Sequence, residues 1–356
     1  MINVDLLRRL CETPGVSGRE ERVRSLIEEE MDGLFDEITT DSMGSLLCVR
    51  RATKNPARGK KPLKVMMACH MDEIGFYVRF VDSNGFLWLK DAGGFDTRNL
   101  FSKRVLVCTD HGDLVGVMNP GGKPVHIASA EDRKKIPEVS EFFIDLGMTE
   151  AEVKKRVKIG DQVVLNEPFE EVGDKLVSKA MDNRVACWLG IESVRKLHKS
   201  TKKTGHACEV HCVFTVQEEV GLRGAQTSAF AVQPDVGIGI DVTLACDTPG
   251  VNETERVTKQ GDGVAITVMD GSSISNYELV NEFENIALAK RIPYQRSILA
   301  RGGTDAAAIQ RAATGATSIT ISVGARYVHT VTEMIHRKDL AAARDLLAAY
   351  LAKAKK

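Results

Sequence analysis

The sequence predicts an α/β protein that carries an inserted β-rich segment. Short apolar runs alternate with amphipathic helical patterns in the two flanking parts of the chain, before residue 76 and after residue 168. Residues 76–168 instead contain short alternating segments separated by turn sequences rich in glycine, proline and asparagine. Histidine and carboxylate residues follow several predicted strands, which is typical of the ligand-binding edge of an α/β sheet.

Composition limits the classes of protein that the chain can be. It has 356 residues, 43% of them hydrophobic, so it can bury a large core and is long enough for two domains. The net charge of -1 provides no field to attract nucleic acid or an anionic membrane. Apolar stretches fall short of the ~20 residues of a membrane helix, and no signal peptide is evident. We therefore expect a cytoplasmic protein, with residues 54–64 as a solvated, lysine-rich loop.

Eight cysteines are spread singly through predicted strands and helices. In a chain of this size they indicate reduced thiols and not a disulfide framework. One alternative is a zinc site made by His206, Cys208, His211 and Cys212. Ligands in line on one strand cannot surround a tetrahedral ion unaided, so a structural role is favoured for these residues.

The first elements along the chain are two helices and a hairpin. Residues 2–13 predict a short helix. A second helix is expected to begin at Ser17, with Glu20 as the partner of Ser17 in a capping box. Residues 37–50 predict two strands around a turn.

The central strand is predicted at residues 65–69, an apolar run that stops at His70. Its shortness and the flanking Pro62 and Gly75 favour a strand over a helix. His70 can offer an imidazole nitrogen to a divalent metal, and Asp72 can orient that ring or bind directly. Alone, such a pair is more often an ordinary hydrogen-bonded surface pair, and it is the repetition of the pattern that indicates a site.

The same arrangement recurs at the ends of three further predicted strands. Asp182 is an additional candidate from a helix start, where a carboxylate is also a common N-cap. The candidates at strand ends are Glu218 and Glu219 after residues 211–216, Asp241 after residues 236–240, and His329 after residues 318–323.

Further elements complete the α/β pattern. One helix is expected within the insertion, starting at Thr149 with Glu152 as its capping partner. After Asp174 the alternation of strands and helices resumes, without an internal repeat. Its other predicted members are a strand at 264–269 and helices near 277–290, 304–312 and 338–353.

The positions of the candidate residues predict two domains. If His70 and Asp182 serve one site, the residues between them must leave the sheet and return, because a structureless loop of that length is implausible. We therefore predict a discontinuous catalytic domain, residues 1–75 and 169–356, and an inserted β-rich domain, residues 76–168. The inserted domain is expected to cover the cleft, to mediate oligomerisation, or both.

The candidate residues suit a pair of divalent cations, which hydrolytic enzymes use to polarise a carbonyl and to acidify a shared water. Mixed nitrogen and oxygen ligands fit zinc, cobalt or manganese, and no cysteine is committed to a structural zinc site. Asp182 is predicted to bridge the two ions. The other predicted ligands are His70 and Asp241 on one ion, and Glu219 and His329 on the second.

Glu218 is the carboxylate that this assignment leaves free. Because adjacent residues at a strand end point in different directions, Glu219 can bind metal while Glu218 takes a proton from the water and passes it to the leaving amine. Another candidate is the run Gly302-Gly303-Thr304, where flexible residues before a helix could contact substrate or an oxyanion. The same run equally fits a plain capped turn.

Six short motifs, spread over nearly the whole chain, carry these candidate residues. They are His70-Met71-Asp72-Glu73-Ile74-Gly75, Met181-Asp182-Asn183-Arg184, Gln217-Glu218-Glu219-Val220-Gly221, Gly239-Ile240-Asp241, Gly302-Gly303-Thr304-Asp305-Ala306 and Val328-His329-Thr330.

This motif set resembles that of the tetrahedral (TET-type) aminopeptidases, dinuclear metallopeptidases that include deblocking and glutamyl aminopeptidases. The resemblance implies a mixed-sheet, phosphorylase/hydrolase-like catalytic domain with an inserted PDZ-like β domain, and self-assembly into a hollow homododecamer. It implies that Glu218 is the base and Asp72 the partner of His70. Asn183 departs from the pattern, since many relatives carry a second Asp there, and it is expected to change how the ligand helix is held. The ligands implied are His70, Asp182, Glu219, Asp241 and His329.

We therefore predict a dinuclear metallo-aminopeptidase that removes N-terminal residues from short peptides with a free N-terminus. One alternative is a metal-dependent hydrolase of N-acyl amino acids or amides, and another is a metal-dependent scaffold. Some relatives are labelled endoglucanases, but glycosidases need a carboxylate pair and no metal, whereas two histidines join the carboxylates here. A preference for acidic N-terminal residues, through Arg296 or Arg301, is a further hypothesis.

Overall fold

A mixed β-sheet with helices packed on both faces forms the centre of the fold, and a six-stranded barrel adjoins it. A computed structural model describes residues 2–54 and 61–356, so part of the predicted lysine-rich loop, residues 55–60, lies outside the described residues. The helices in the described part are α1 (Val4–Glu12), α2 (Glu21–Glu30), α3 (Glu150–Arg156), α4 (Met181–Thr201), α5 (Arg223–Val232), α6 (Tyr277–Lys290), α7 (Asp305–Arg311) and α8 (Arg337–Lys353).

Strands from two parts of the chain form the sheet, and the strands between them form the barrel. In chain order they are β1 (Glu37–Thr40), β2 (Leu46–Arg50) and β3 (Lys64–His70) of the sheet; β4 (Gly75–Val81), β5 (Leu87–Ala92), β6 (Lys103–Cys108), β7 (Leu114–Pro120), β8 (Phe142–Asp145) and β9 (Gln162–Leu165) of the barrel; and β10 (Glu170–Val172), β11 (Lys175–Ser178), β12 (Glu209–Thr215), β13 (Val236–Leu244), β14 (Val264–Met269), β15 (Tyr294–Ile298), β16 (Thr317–Arg326) and β17 (Glu333–His336) of the sheet.

Four parallel strands occupy the middle of the sheet, in the order β12, β3, β13 and β16. Antiparallel strands flank them, with β2 and β1 beyond β12, and with β14 and β17 paired to β16. Parallel strands bring their carboxyl ends to one edge, which is where ligands bind in open α/β sheets. The predicted convergence of strand-end residues therefore has a structural basis.

The apolar run of β3 is buried on both faces, which explains why it does not alternate with polar residues. Val65, Met67 and Cys69 belong to the large core that also contains residues of α1, α4, α6 and α8. Met66 and Ala68 belong to a smaller cluster with residues of α5 and α7. The strand is held rigidly between two helical layers, so its last residue has a fixed position.

Two glycines of β13 allow α7 to lie directly on the sheet. A Cβ atom at Gly237 would come within 2.3 Å of Ile309 Cγ2, and one at Gly239 would come within 2.8 Å of Ala306 Cβ. Any larger residue would push the helix away. This close packing brings the residue that caps α7, Thr304, to the sheet edge.

The barrel has a hydrophobic core of its own. Phe76, Val105, Phe142 and Ile144 are fully buried within it. Helix α3 lies among its strands in sequence and begins with the predicted capping box between Thr149 and Glu152. The PDZ-like character of the inserted domain stays a prediction.

The capping box predicted for the second helix is wrong. Helix α2 begins at Glu21, and Glu20 makes no side-chain cap hydrogen bond. The Ser17 hydroxyl instead donates to Asp72 Oδ2 over 2.6 Å. The signature of a local motif is present, but Ser17 binds a residue that is distant in sequence, and Glu20 accepts the N–H groups of Gly18 and of the distant Gln217.

The cysteines are unpaired, as predicted, and seven of the eight are buried. The alternative zinc site is not formed by the described residues. His206 contacts the Thr53 hydroxyl, His211 contacts Glu209, and Cys208 donates to the carbonyl of Leu351. In residues 2–54 and 61–356, no helix combines the length and hydrophobicity required to cross a bilayer.

Candidate metal centre

Two parallel strands position the first three candidate residues. His70 is the last residue of β3 and pairs in register with Thr215, the last residue of β12. Glu218 and Glu219 follow β12 after Gln217, which has a positive φ of 56°. This left-handed residue turns the chain at the sheet edge, so the two glutamates lie beside His70.

The other candidates reach the same place from different elements. Asp241 was expected at the end of its strand, but β13 continues to Leu244 because it pairs with β16 along its whole length. Asp182 and Asn183 have non-helical backbone angles at the start of α4, so Asp182 is not an ordinary helix cap. His329 lies in the turn between β16 and β17, with a φ of 62°.

Asp182 stands between the two histidines. Its Oδ1 atom is 3.3 Å from His70 Nε2, and its Oδ2 atom is 3.4 Å from His329 Nε2. Asp241 Oδ1 lies 3.9 Å from His70 Nε2, and Glu219 Oε2 lies 3.5 Å from His329 Nε2. The described residues thus contain two groups of three side chains that share Asp182, with ligand atoms within 4.8 Å of one another in each group.

The donor set fits divalent cations. Each group offers one imidazole nitrogen and carboxylate oxygens, which is the chemistry of zinc, cobalt and manganese sites. Glu219 Oε1 is buried without a hydrogen-bond partner, and a cation would satisfy it. A third group, made of His70, Glu218 and Glu219, overlaps the first two. Glu218 is therefore close enough to act on the same centre.

Crowded charges shift the protonation of the cluster. Burial lowers the pKa of His70, but Glu218 and Asp182 oppose it strongly, so its pKa lies well above the usual value. Burial raises the pKa of Glu218 well above its usual value, and nearby Asp241 adds to the rise. Burial and Asp182 likewise raise the pKa of Asp241. A bound cation would therefore have to compete with protons for these groups.

Asp72 connects the two sides of the centre. Its Oδ1 atom is 3.4 Å from His70 Nδ1, on the far side of the ring from the candidate metal position. The N–H groups of Glu218 and Glu219 donate to its two carboxylate oxygens over 3.0 and 3.2 Å. Ser17 donates to it as well. Asp72 therefore orients one candidate ligand and the backbone of the two glutamates at once.

The barrel and β17 hold His329. Its Nδ1 atom lies 2.9 Å from the carbonyl oxygen of Gly94, in the segment that follows β5. Glu333, which is buried, accepts the N–H groups of His329 and Asp182 over 2.7 and 2.9 Å. The contact with Gly94 orients the ring so that Nε2 faces the centre.

Asn183, the residue after Asp182, fixes the start of α4 against the sheet. The Asn183 amide donates to the carbonyl of Ile240, on β13, and accepts the N–H of Ala186 in α4. Asn183 therefore ties the helix start to the strand that carries Asp241. This is the structural role of the residue that departs from the expected second Asp.

Arg184, which is fully buried, joins the centre to the N-terminal segment. Its guanidinium donates to the carbonyls of Met71 and Thr13 and contacts Glu73 over 3.2 Å. Lys179 also pairs with Glu73, over 2.7 Å. Both cations share the one buried carboxylate of Glu73, so removal of Glu73 would leave two buried positive charges without their partner.

A cavity of about 790 Å³ opens onto the centre, and Gly302, Gly303 and Thr304 line it beside the candidate ligands. Thr304 caps α7 by accepting the N–H of Ala306, so the plain capped turn is also present. Of the two arginines considered for substrate preference, Arg301 lines this cavity, whereas Arg296 pairs with Glu284.

Three buried carboxylates of the site were not predicted from the sequence. Glu333 holds the backbone of two candidate ligands, and Asp305 accepts a 2.5 Å hydrogen bond from Thr215 at the end of β12. Glu20 accepts the N–H of Gln217. Asp305 lies directly after Gly302-Gly303-Thr304, and Glu333 lies four residues after His329, but neither position carries a pattern that distinguishes it from a surface carboxylate.

Comparison with known proteins gives matches over nearly the whole chain. The model of a family described as M42 glutamyl aminopeptidase matches residues 51–346. An aminopeptidase from the archaeon Desulfurococcus kamchatkensis is 36% identical, with a TM-score of 0.91 and coverage of 99% of this chain and 95% of the other. The TET1 peptidase of Pyrococcus horikoshii, which can assemble into a tetrahedron or a large octahedral shell, is 28% identical, with a TM-score of 0.85 over 99% of both chains. The lysyl aminopeptidase of Pyrococcus furiosus is 29% identical over 347 residues, 96% of this chain and 94% of that protein.

Metal binding by this cluster is expected to release protons. Burial raises the pKa values of Glu218 and Asp241, and neighbouring carboxylates raise that of His70, so a cation competes with protons for these groups. The metal-free protein, prepared with a chelator, can be titrated with zinc in a calorimeter in buffers of different ionisation enthalpy. The titrations should show release of roughly one or more protons per chain.

Two variants serve as the test and the control for this measurement of proton release. Asp241→Asn should release fewer protons than the wild type. His206→Ala removes a buried histidine outside the centre and should release as many. Zinc binding with the same heat in every buffer would contradict the expectation.

Proposed function

The chain belongs to the M42 glutamyl aminopeptidase family, and we propose that it removes N-terminal residues from short peptides with the help of two divalent cations. The family predicted from the motifs is confirmed by the match to residues 51–346. The protein is thus an aminopeptidase, a hydrolase of peptide bonds, and peptidases of this family depend on metal. The proposed ligands are His70, Asp182, Glu219, Asp241 and His329.

The position of Asp182 is the main support for a centre that holds two cations. One carboxylate oxygen faces each histidine, at 3.3 and 3.4 Å, and a bridging carboxylate is what two neighbouring cations require. His70 and Asp241 would complete one position, and Glu219 and His329 the other. The nitrogen and oxygen donors favour zinc or cobalt, with manganese as a further candidate.

When bound, the cations supply Lewis acidity, which polarises a carbonyl group and lowers the pKa of water. The chain itself supplies the proton transfer. Glu218 Oε2, 3.8 Å from His70 Nε2, is the proposed general base, which takes a proton from the attacking water and returns it to the leaving amine.

The remaining residues orient the reactants. Asp72 holds the ring of His70 and the backbone of Glu218, so it is proposed to act through them. Gly302 and Gly303 expose backbone beside the centre and are proposed to contact the substrate, together with Thr304. These assignments leave the cavity open to a peptide that enters with its N-terminus first.

Substitution Glu218→Gln tests the base. The amide keeps the size of the side chain but cannot take the proton, so turnover should fall roughly 10²–10⁴-fold while the metal content is unchanged. Metal analysis and kcat with a leucyl anilide measure the two effects. Glu209→Gln, at the other end of β12, should leave both unchanged. An active Glu218→Gln enzyme would reject the assignment, and loss of metal would make Glu218 a ligand.

A free amine should be essential in the substrate. An aminopeptidase binds the N-terminal amine close to the reacting carbonyl, so acetylation should abolish hydrolysis of an otherwise identical substrate. Rates with leucyl and N-acetyl-leucyl anilide distinguish this enzyme from the alternative, a metal-dependent hydrolase of N-acyl amino acids or amides. Equal or faster hydrolysis of the acetylated compound would favour that alternative.

The barrel is proposed to mediate self-association, in addition to its contact with the centre. Strand β7 exposes Val115 and Val117, 60% and 48% accessible, and Phe80 on β4 is 52% accessible. Val115 and Val117 lie on the same face of β7, because they are two residues apart, and exposed apolar side chains that lie together are typical of protein interfaces. The similarity to TET1 peptidase, which can assemble into a tetrahedron, supports a homododecamer. In each chain, residues 76–168 would form the inserted domain, and residues 1–75 and 169–356 would form the catalytic domain.

Light scattering should therefore give twelve times the chain mass of 39.0 kDa. Val115→Glu should lower that mass, because it places charges within the proposed interface. A monomer, or an assembly that the substitution does not change, would contradict the proposed role of the barrel.

A further inference from the structure

We propose that Glu20 is a positioning residue for the catalytic loop, residues 217–219. It holds the backbone of this loop so that Glu218 and Glu219 present their carboxylates in different directions. The inference rests on the proposed function and adds to it a residue of the N-terminal segment. That segment precedes residues 51–346, the part that the family model matches.

Two buried carboxylates bind the three successive N–H groups of the catalytic loop. The N–H of Gln217 donates to Glu20 Oε1 over 3.0 Å. The N–H groups of Glu218 and Glu219 donate to Asp72 over 3.0 and 3.2 Å. Since each amide of the loop has its own carboxylate oxygen, the loop has little freedom to shift along the sheet edge.

Gln217 is the residue of the loop that most needs such support. Its φ of 56° is left-handed, which is unfavourable for a residue with a side chain and persists only where the surroundings hold it. Arg223 binds the carbonyl and the side-chain oxygen of Gln217, over 3.2 and 3.1 Å. Glu20 binds the N–H on the other side, so the peptide units before and after this strained residue are both fixed.

The surroundings of Glu20 argue against a role in its own helix. It precedes α2 but makes no side-chain cap hydrogen bond there. It is only 4% exposed, and no ion pair joins it to any residue in the described part of the chain. Its other backbone partner is the N–H of Gly18, at 2.8 Å. A buried carboxylate without a countercharge is costly, and the catalytic loop is the contact that explains its presence.

Glu20→Met and Glu20→Gln test this inference together. Methionine fills the space but cannot accept the N–H of Gln217, so kcat should fall roughly ten- to hundredfold, with KM changed less than about threefold, because misplacement affects the reacting groups more than substrate binding. Glutamine keeps an acceptor oxygen in the same place and should restore most of kcat. Glu21→Met, at the next and more exposed position, is the matched control and should behave as the wild type.

Hydrogen exchange provides a reading that does not depend on activity. In Glu20→Met, the peptide that covers residues 217–219 should exchange faster than in the wild type, while peptides from the core strand β3 remain unchanged. Zinc affinity should fall as well, because Glu219 lies in the same loop. Both measurements apply even if the wild type hydrolyses no peptide, in which case the proposed function fails and the inference is still tested.

Three results would overturn the inference. The first is a Glu20→Met protein with wild-type kcat and wild-type exchange in the catalytic loop. The second is equal impairment of Glu20→Gln and Glu20→Met, which would assign the effect to the charge and not to the acceptor. The third is faster exchange throughout the protein with a matching loss of thermal stability, which would make Glu20 a general structural residue.

Discussion

The centre depends on the burial of several carboxylates within reach of one another. Like charges in a poorly solvated site repel, so the arrangement is favourable only when protons or cations compensate them. Two imidazoles cannot balance the acids that surround them, and the raised pKa values of Glu218 and Asp241 record this excess. A pair of divalent cations is the compensation that we propose for this geometry. The rigid parallel strands hold the repelling groups close enough for such cations to be bound.

Much of the surrounding structure serves to keep these acids in place. Asp72 accepts backbone N–H groups and a hydroxyl, and Glu333 accepts the N–H groups of two candidate ligands. Arg184 links the backbone after β3 to the first residues of the chain. The N-terminal segment is thus part of the support of the centre, although it contributes no candidate ligand.

The sequence predicted the elements whose physical cause is local. The apolar run before His70, the helical periodicity after Asp182 and the position of His329 after a strand all reflect burial on regular elements. The N-terminal capping box was wrong because Ser17 found a partner 55 residues away, and local motifs carry no information about such contacts. Glu333 was missed for the same reason: its two partners are backbone groups that only the folded chain brings to it.

The contact between His329 and Gly94 limits how independently the barrel and the sheet can evolve. The carbonyl oxygen of Gly94, which follows a barrel strand, binds the ring of His329, and this ring faces the candidate metal centre. The barrel therefore contributes directly to the geometry of the centre. A sheet stripped of its barrel would retain the other candidate ligands yet leave this imidazole free to rotate. A shortened insertion would therefore have to keep the segment that follows β5 in order to orient this imidazole.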